Sequence, residues 1–283
     1  MEQALNAATA WRILGKAMRE VLDSALRKWA GLRVADAFLG ARYSYVELVG
    51  GWCGVAYVPG YDLGRGVDVL EEATPRLLAR LVERGFGRGA ASLALAAINA
   101  ATMAWIYESL DPPVIIEKRL SDIVGAGHGD KVVVLGYMRG VVDEFLESGA
   151  DVYVSEISED LYLEAARDAK NKGFTVIGRD EARHYLEKAT IVVASGSALL
   201  YPELTLWELK AALSARERVL VGPTSSFHPL LGKKLGATLV GGVYIDPSMC
   251  NMVRWHVAGG GGLHSFRRKG AKAPFLPRIY MRV

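Results

Sequence analysis

The chain has 283 residues, 51% hydrophobic and 23% charged, with a net charge of +3. These values exclude intrinsic disorder, and 31 glycines without a period exclude a collagen-like chain. Cys53 and Cys250 are too few for a disulfide framework and form no CxxC or zinc-knuckle spacing, so each reads as a small, buried, free cysteine.

The charge is uneven. Residues 264–283 hold Arg267, Arg268, Lys269, Lys272, Arg278 and Arg282 and no acid, which leaves 28 basic against 31 acidic side chains in the rest. Phe266, Pro274, Phe275, Leu276, Ile279 and Tyr280 predict that this basic tail packs on the body instead of reaching for nucleic acid. A single glutamine, Gln3, and four asparagines fit a thermophilic source. Met1 to Lys16 has no unbroken apolar run and carries Glu2 and Arg12, which predicts no signal peptide and a cytoplasmic location.

Residues 5–30 predict an amphipathic helix, with Trp11, Leu14, Met18, Val21, Ala25 and Trp29 on one stripe and Gly31 as its stop. Three short runs, 32–39, 42–49 and 53–58, broken by Gly40 and Gly50-Gly51, predict an antiparallel meander. Thr74-Pro75 predicts a capped helix over 75–84. Residues 89–107 carry no charge and are long enough to span a bilayer. Their many alanines, with Ser92, Asn99 and Thr102, point instead to a helix buried against a sheet.

After Asp111-Pro112-Pro113 the pattern changes. Apolar β-branched runs at 131–136, 151–155, 174–177, 190–194, 217–221 and 237–243 alternate with helical stretches at 139–148, 159–172, 180–188 and 203–214, the last with a capping box at Thr205 and Glu208. This alternation predicts a parallel sheet covered on both faces.

In such a sheet, ligands bind beyond the carboxyl ends of the strands. The residues just after each strand are therefore the candidates. Gly136-Tyr137 follows the first, without a GxGxxG loop; Gly125-Ala126-Gly127-His128-Gly129 precedes that strand and reads as a connector. Glu156 follows the second, where an acidic residue holds ribose hydroxyls in Rossmann-type sites, or simply stands as a solvated charge at a helix start. Ser195-Gly196-Ser197 and Gly222-Pro223-Thr224-Ser225 follow the fourth and fifth, and both offer hydroxyls and backbone N–H groups to one anion, or make ordinary capped turns. The two loops are expected to converge in one pocket. His228 lies next to the second loop, and Asp246-Pro247 after the sixth strand reads as the start of a helix over 247–256 or as a general base. The five histidines have no metal-ligand spacing, and the sequence names no cofactor.

Leu135-Gly136-Tyr137, Ala189-Thr190, Ser195-Gly196-Ser197, Thr205, Val221-Gly222-Pro223-Thr224-Ser225, Gly241-Gly242-Val243 and Asp246-Pro247 occur in an order that resembles the heavy-metal chelation family. Gly54-Val55-Ala56 and Ile98-Asn99-Ala100 extend the resemblance into the first half, while Met138-Arg139 departs from it. The resemblance implies an α/β protein: an enolase-N-like α+β domain over 1–112, a Rossmann-like domain over 113–265 and a tail over 266–283. It also implies a ligand site between the domains, with condensation or hydrolysis chemistry on pterin-, flavin- or siderophore-like molecules. Asn99 is then expected to reach the ligand from the first domain. The alternatives are a methyltransferase using S-adenosylmethionine and a non-catalytic metal or ligand carrier. The expected partner is a small molecule, not nucleic acid or a membrane, and a homo-oligomer is left open.

Overall fold

A computed structural model describes residues 5–60, 72–178, 180–263 and 276–283. Helix α1 (Ala7–Asp23) starts at Asn6, whose side chain accepts from the Thr9 N–H. It ends earlier than its apolar stripe predicts. The Ser24 hydroxyl bonds back to the Glu20 carbonyl at 2.6 Å, and a series of turns then carries Leu26, Trp29 and Ala30 into the core.

Strands β1 (Val34–Leu39), β2 (Tyr43–Leu48) and β3 (Trp52–Tyr57) form the antiparallel meander. Helix α2 (Pro75–Glu83) follows, capped by Thr74, and then α3 (Arg88–Glu108). Gly54 lets α3 lie directly on β3, because a Cβ there would sit 2.2 Å from the Ala96 carbonyl oxygen. Helix α3 has the length and hydropathy of a membrane span, but 94% of that window is buried inside the protein. Alanine makes this possible: a smooth helix packs closely against a strand without large side chains to accommodate.

The second half holds β4 (Ile115–Ile116), α4 (Leu120–Ile123), β5 (Lys131–Leu135), α5 (Arg139–Glu147), β6 (Asp151–Ser155), α6 (Glu159–Lys172), β7 (Thr175–Ile177), α7 (Ala182–Leu186), β8 (Ile191–Ser195), α8 (Pro202–Ala211), β9 (Glu217–Val221), α9 (Pro229–Lys234), β10 (Leu239–Val243), α10 (Cys250–Ala258) and β11 (Arg278–Arg282). The eight strands are ordered β4-β11-β10-β9-β8-β5-β6-β7. Strands β5 to β10 are parallel, and β11 and β4 close one edge antiparallel. Counted among themselves, the parallel strands follow the order 3-2-1-4-5-6 of doubly wound sheets, with the reversal between β5 and β8. Within the basic tail, β11 is an integral strand whose Ile279, Tyr280 and Met281 are buried, as is Leu276 before it; Phe266, Pro274 and Phe275 lie outside the described residues.

One hydrophobic cluster runs from α1, α2 and α3 through to Val133, Leu220, Val240 and Met281 on the large sheet. A second fills the opposite sheet face under α4, α5 and α6. A third joins the outer face of β2 and β3 to α10. In that third cluster Cys53 and Cys250 form a disulfide across 197 positions, which corrects the expectation of two free thiols. Two buried cysteines far apart in sequence meet because α10 packs on the outer face of the meander beside β2.

The capping box also fails. Helix α8 begins at Pro202 with Tyr201 as its N-cap, so Thr205 lies inside the helix, where its hydroxyl bonds the Ala198 carbonyl at 2.6 Å. The predicted helix over 247–256 splits into a 3-10 turn, Pro247–Met249, and α10.

Candidate functional site

Two clefts open along the carboxyl edge of the large sheet, on either side of a ridge formed by Met138 and Ser195. The first, about 160 Å³, lies over the ends of β5, β6 and β8. Its lining includes Gly136, Tyr137, Glu156, Ile157, Leu161, Ser195, Ser197, Tyr201, Leu204 and Glu208, with Tyr57 contributed by the meander. The second, about 380 Å³, lies over β8, β9 and β10 and is lined by Tyr43, Arg139, Gly140, Gly222, Pro223, Gly241, Gly242, Arg278 and Tyr280, among others.

The floor of the first cleft is built by backbone geometry. Gly136 has φ +88°, a conformation open to glycine, which turns the chain off β5 while its N–H still bonds the Ser155 carbonyl at 2.8 Å. The turn brings the Tyr137 N–H to Glu156 Oε2 at 2.7 Å. The other oxygen of Glu156 accepts from the Ile157 and Ser158 N–H groups, each at 2.7 Å. Glu156 thus ties the loops after β5 and β6 together, and of a carboxylate's roughly four lone-pair sites it keeps one. The Tyr137 side chain has partners of its own: the ring stacks on Phe174, and its hydroxyl donates to Asp168. Burial and that bond push the phenol up to about 12. Ser195 and Ser197 hold each other, Oγ to Oγ, at 2.8 Å. Arg88, at the start of α3, fixes the next segment by donating to the Leu200 carbonyl at 3.1 Å and lying over the Tyr201 ring.

Of the predicted site residues, Gly136, Tyr137, Glu156, Ser195 and Ser197 line the first cleft, and Ser195, Gly222 and Pro223 line the second. The two serine and threonine loops therefore meet, but the rest of the predicted anion grip is used up inside the protein. Thr224 is 2% exposed, and its hydroxyl accepts from the Tyr57 N–H at 2.9 Å. Ser225 is fully buried and bonds the Gly222 carbonyl. Gly196 is closed off against it, since a Cβ there would lie 2.5 Å from Ser225 Oγ.

Asn99 does not reach either cleft. Its amide nitrogen lies 2.8 Å from the Val55 carbonyl and 3.1 Å from those of Pro223 and Thr224, so it binds the meander to the loop after β9. His228 also turns inward. Its Nδ1 accepts from the Leu230 N–H at 3.1 Å, capping α9, and its ring stands edge-on to Trp105. Burial pulls its pKa down to about 4. Asp246 caps the 3-10 turn through the Ser248 N–H at 2.9 Å.

The sequence reading missed Tyr43, Tyr57, Tyr201, Arg278 and Glu208. Tyr43 and Tyr57 are directly paired across β2 and β3, ring edge to ring face at 6.4 Å, and burial raises both phenol pKa values. Two tyrosines at the outer ends of neighbouring predicted strands were the available signal.

A family model described as "Putative heavy-metal chelation" matches residues 119–275, and a second with the same description matches 9–102. The chain belongs to this family. A protein of unknown function from Pyrococcus horikoshii has the same fold over 97% of this chain and 99% of its own, with 21% identity and a TM-score of 0.69. Another, from Desulfitobacterium hafniense, matches 95% of this chain and 99% of its own, with 19% identity and a TM-score of 0.65. No curated protein matches the chain. The family description raises the question of direct metal binding. Soft metals select thiolates, and here both cysteines are tied in the disulfide. Among the described residues no group of three or more His, Cys, Asp or Glu side chains is placed to hold an ion. These residues do not fit a metal ion ligated by the protein itself.

Proposed function

We propose that this member of the heavy-metal chelation family binds an organic small molecule in the first cleft, with a one- or two-ring head group between Tyr57 and Tyr201. The observation that carries the reading is the composition of that wall: two tyrosines, Leu161 and Leu204 around the carboxylate of Glu156 and the hydroxyls of Ser195 and Ser197. Apolar and aromatic walls with a few convergent polar groups are what ligand sites share. Glu156 would accept from a ring N–H or hydroxyl. The volume suits a pterin-like or catechol-like head better than a larger ring system. A metal would then be handled through an organic chelator, in keeping with the absence of a fitting donor set among the described residues.

The reading is one of binding. Condensation or hydrolysis needs a general base; among the described residues no histidine lines either cleft, and Glu156 already accepts three backbone N–H groups. Glu208 is the other carboxylate on the wall, and it is 4% exposed. The test is native mass spectrometry of freshly purified protein, followed by thermal-shift titration with a pterin, a flavin and a catecholate. A co-purifying molecule, or a saturable shift, is expected in the wild type and lost in Ser197→Trp, which fills the cleft. A wild type that arrives bare and responds to none of the three would overturn the proposal.

A further inference from the structure

We infer that the second cleft binds an anionic group, a carboxylate or phosphate, seated on Gly140 between Arg278 and Arg139; that this group belongs to the same ligand rests on the reading above. The two clefts share Met138 and Ser195, so one molecule can lie across the ridge. Their charges are opposite. Among the described residues, the first is lined by Glu156 and Glu208 with no Lys or Arg, and the second by Arg139 and Arg278 with no Asp or Glu.

Both guanidinium groups are held from behind. Arg278 Nη1 bonds Glu144 Oε1 at 2.5 Å, and the other Glu144 oxygen is fixed by the Leu120 N–H at 2.8 Å. Arg139 Nε bonds Asp168 at 2.8 Å and its Nη2 bonds Glu164 at 3.0 Å. None of these carboxylates lines the cleft. A guanidinium has five N–H donors, so each keeps some for a planar or tetrahedral oxyanion.

The glycines give an independent indication. A Cβ on Gly241 would strike the Tyr280 ring at 2.4 Å, and one on Gly242 would strike Ser226 Oγ at 2.2 Å, so packing accounts for both. Gly222 has φ +107°, which accounts for the third. Gly140 has neither reason. It is the second residue of α5, and a Cβ there would meet only Arg278 Nη2, at 3.9 Å. A bare helical backbone beside an arginine is what a closely approaching anion requires.

The experiment is calorimetric titration at low ionic strength with inorganic pyrophosphate, inorganic phosphate and benzoate as probes. Saturable one-site binding of at least one probe is expected, and which probe binds separates phosphate from carboxylate. Gly140→Ala should weaken it at least tenfold while the melting temperature holds or rises, because alanine favours the helix. Arg278→Gln should weaken it at least as much. The anion titrations are read on the wild type independently of those with the pterin, the flavin and the catecholate, so failure of the ring-binding reading is seen separately. Absence of saturable binding by all three probes, or wild-type affinity in both Gly140→Ala and Arg278→Gln, would overturn the inference.

Discussion

After β8 the chain runs Ser195-Gly196-Ser197, and after the neighbouring β9 it runs Gly222-Pro223-Thr224-Ser225-Ser226. Both loops begin with a short 3-10 turn and both are rich in hydroxyls. The first presents its two serines to the cleft. The second is roofed by the meander and α3, so its hydroxyls become fasteners. Thr224 takes the Tyr57 N–H, Ser226 takes the Val243 N–H at 3.0 Å, and Asn99 and Thr102 reach down from α3 to the Thr224 carbonyl and the His228 N–H. A hydroxyl at a strand end serves a ligand only where no other part of the chain reaches it first.

The contrast can be broken by loosening the roof. Cys53 on β3 and Cys250 on α10 staple the meander to the element that follows β10. Reducing the disulfide, or replacing both cysteines with serine, should cost about 3–5 kcal/mol, since the bond closes a loop of 197 positions in the unfolded chain. Urea unfolding with and without dithiothreitol reads this directly, and coincident curves would show that the staple contributes nothing.

A smaller effect sharpens the comparison loop against loop. Thr224→Val removes the buried acceptor of the Tyr57 N–H and should cost about 1–3 kcal/mol. Ser197→Ala, in the open loop, should change stability by about 0.5 kcal/mol or less while weakening ligand capture. Equal losses of stability in the two variants would erase the distinction between fastener and cleft wall.

A further effect is confined to pH. Burial holds His228 neutral, with a pKa of about 4 against 6.5 for a free histidine. As pH falls from about 6.5 toward 4, the unfolded chain takes up a proton that the folded chain refuses. Stability should therefore decline through that window and level off below it. His228→Asn keeps an acceptor for the Leu230 N–H and should remove this part of the decline, which melting temperatures measured from pH 7 to pH 4 would show.

Much of the architecture is legible because local patterns are unambiguous. The β-branched runs at 131–136 and 217–221 are apolar on both faces, so they must lie inside a covered parallel sheet. Glu156 after β6 and Ser195 to Ser197 after β8 then fall at the carboxyl edge by topology alone. The uncharged stretch is long enough for a bilayer, but its alanines with Ser92, Asn99 and Thr102 point to a buried helix, and it is one.

What the sequence leaves undecided depends on contacts between distant segments. Asn99 is a polar residue on a buried helix, and that much is local; that its amide meets the Val55, Pro223 and Thr224 carbonyls depends on α3 lying on β3 at Gly54. The spacing of Cys53 and Cys250 carries no sign of their pairing. The arginines of the second cleft come from α5 and from β11, which enters the sheet antiparallel beside β10. Periodicity reports which face of an element is buried. Hydrogen bonds and charges are instead assigned by whichever partner tertiary packing brings within about 3 Å, and that partner is many residues away.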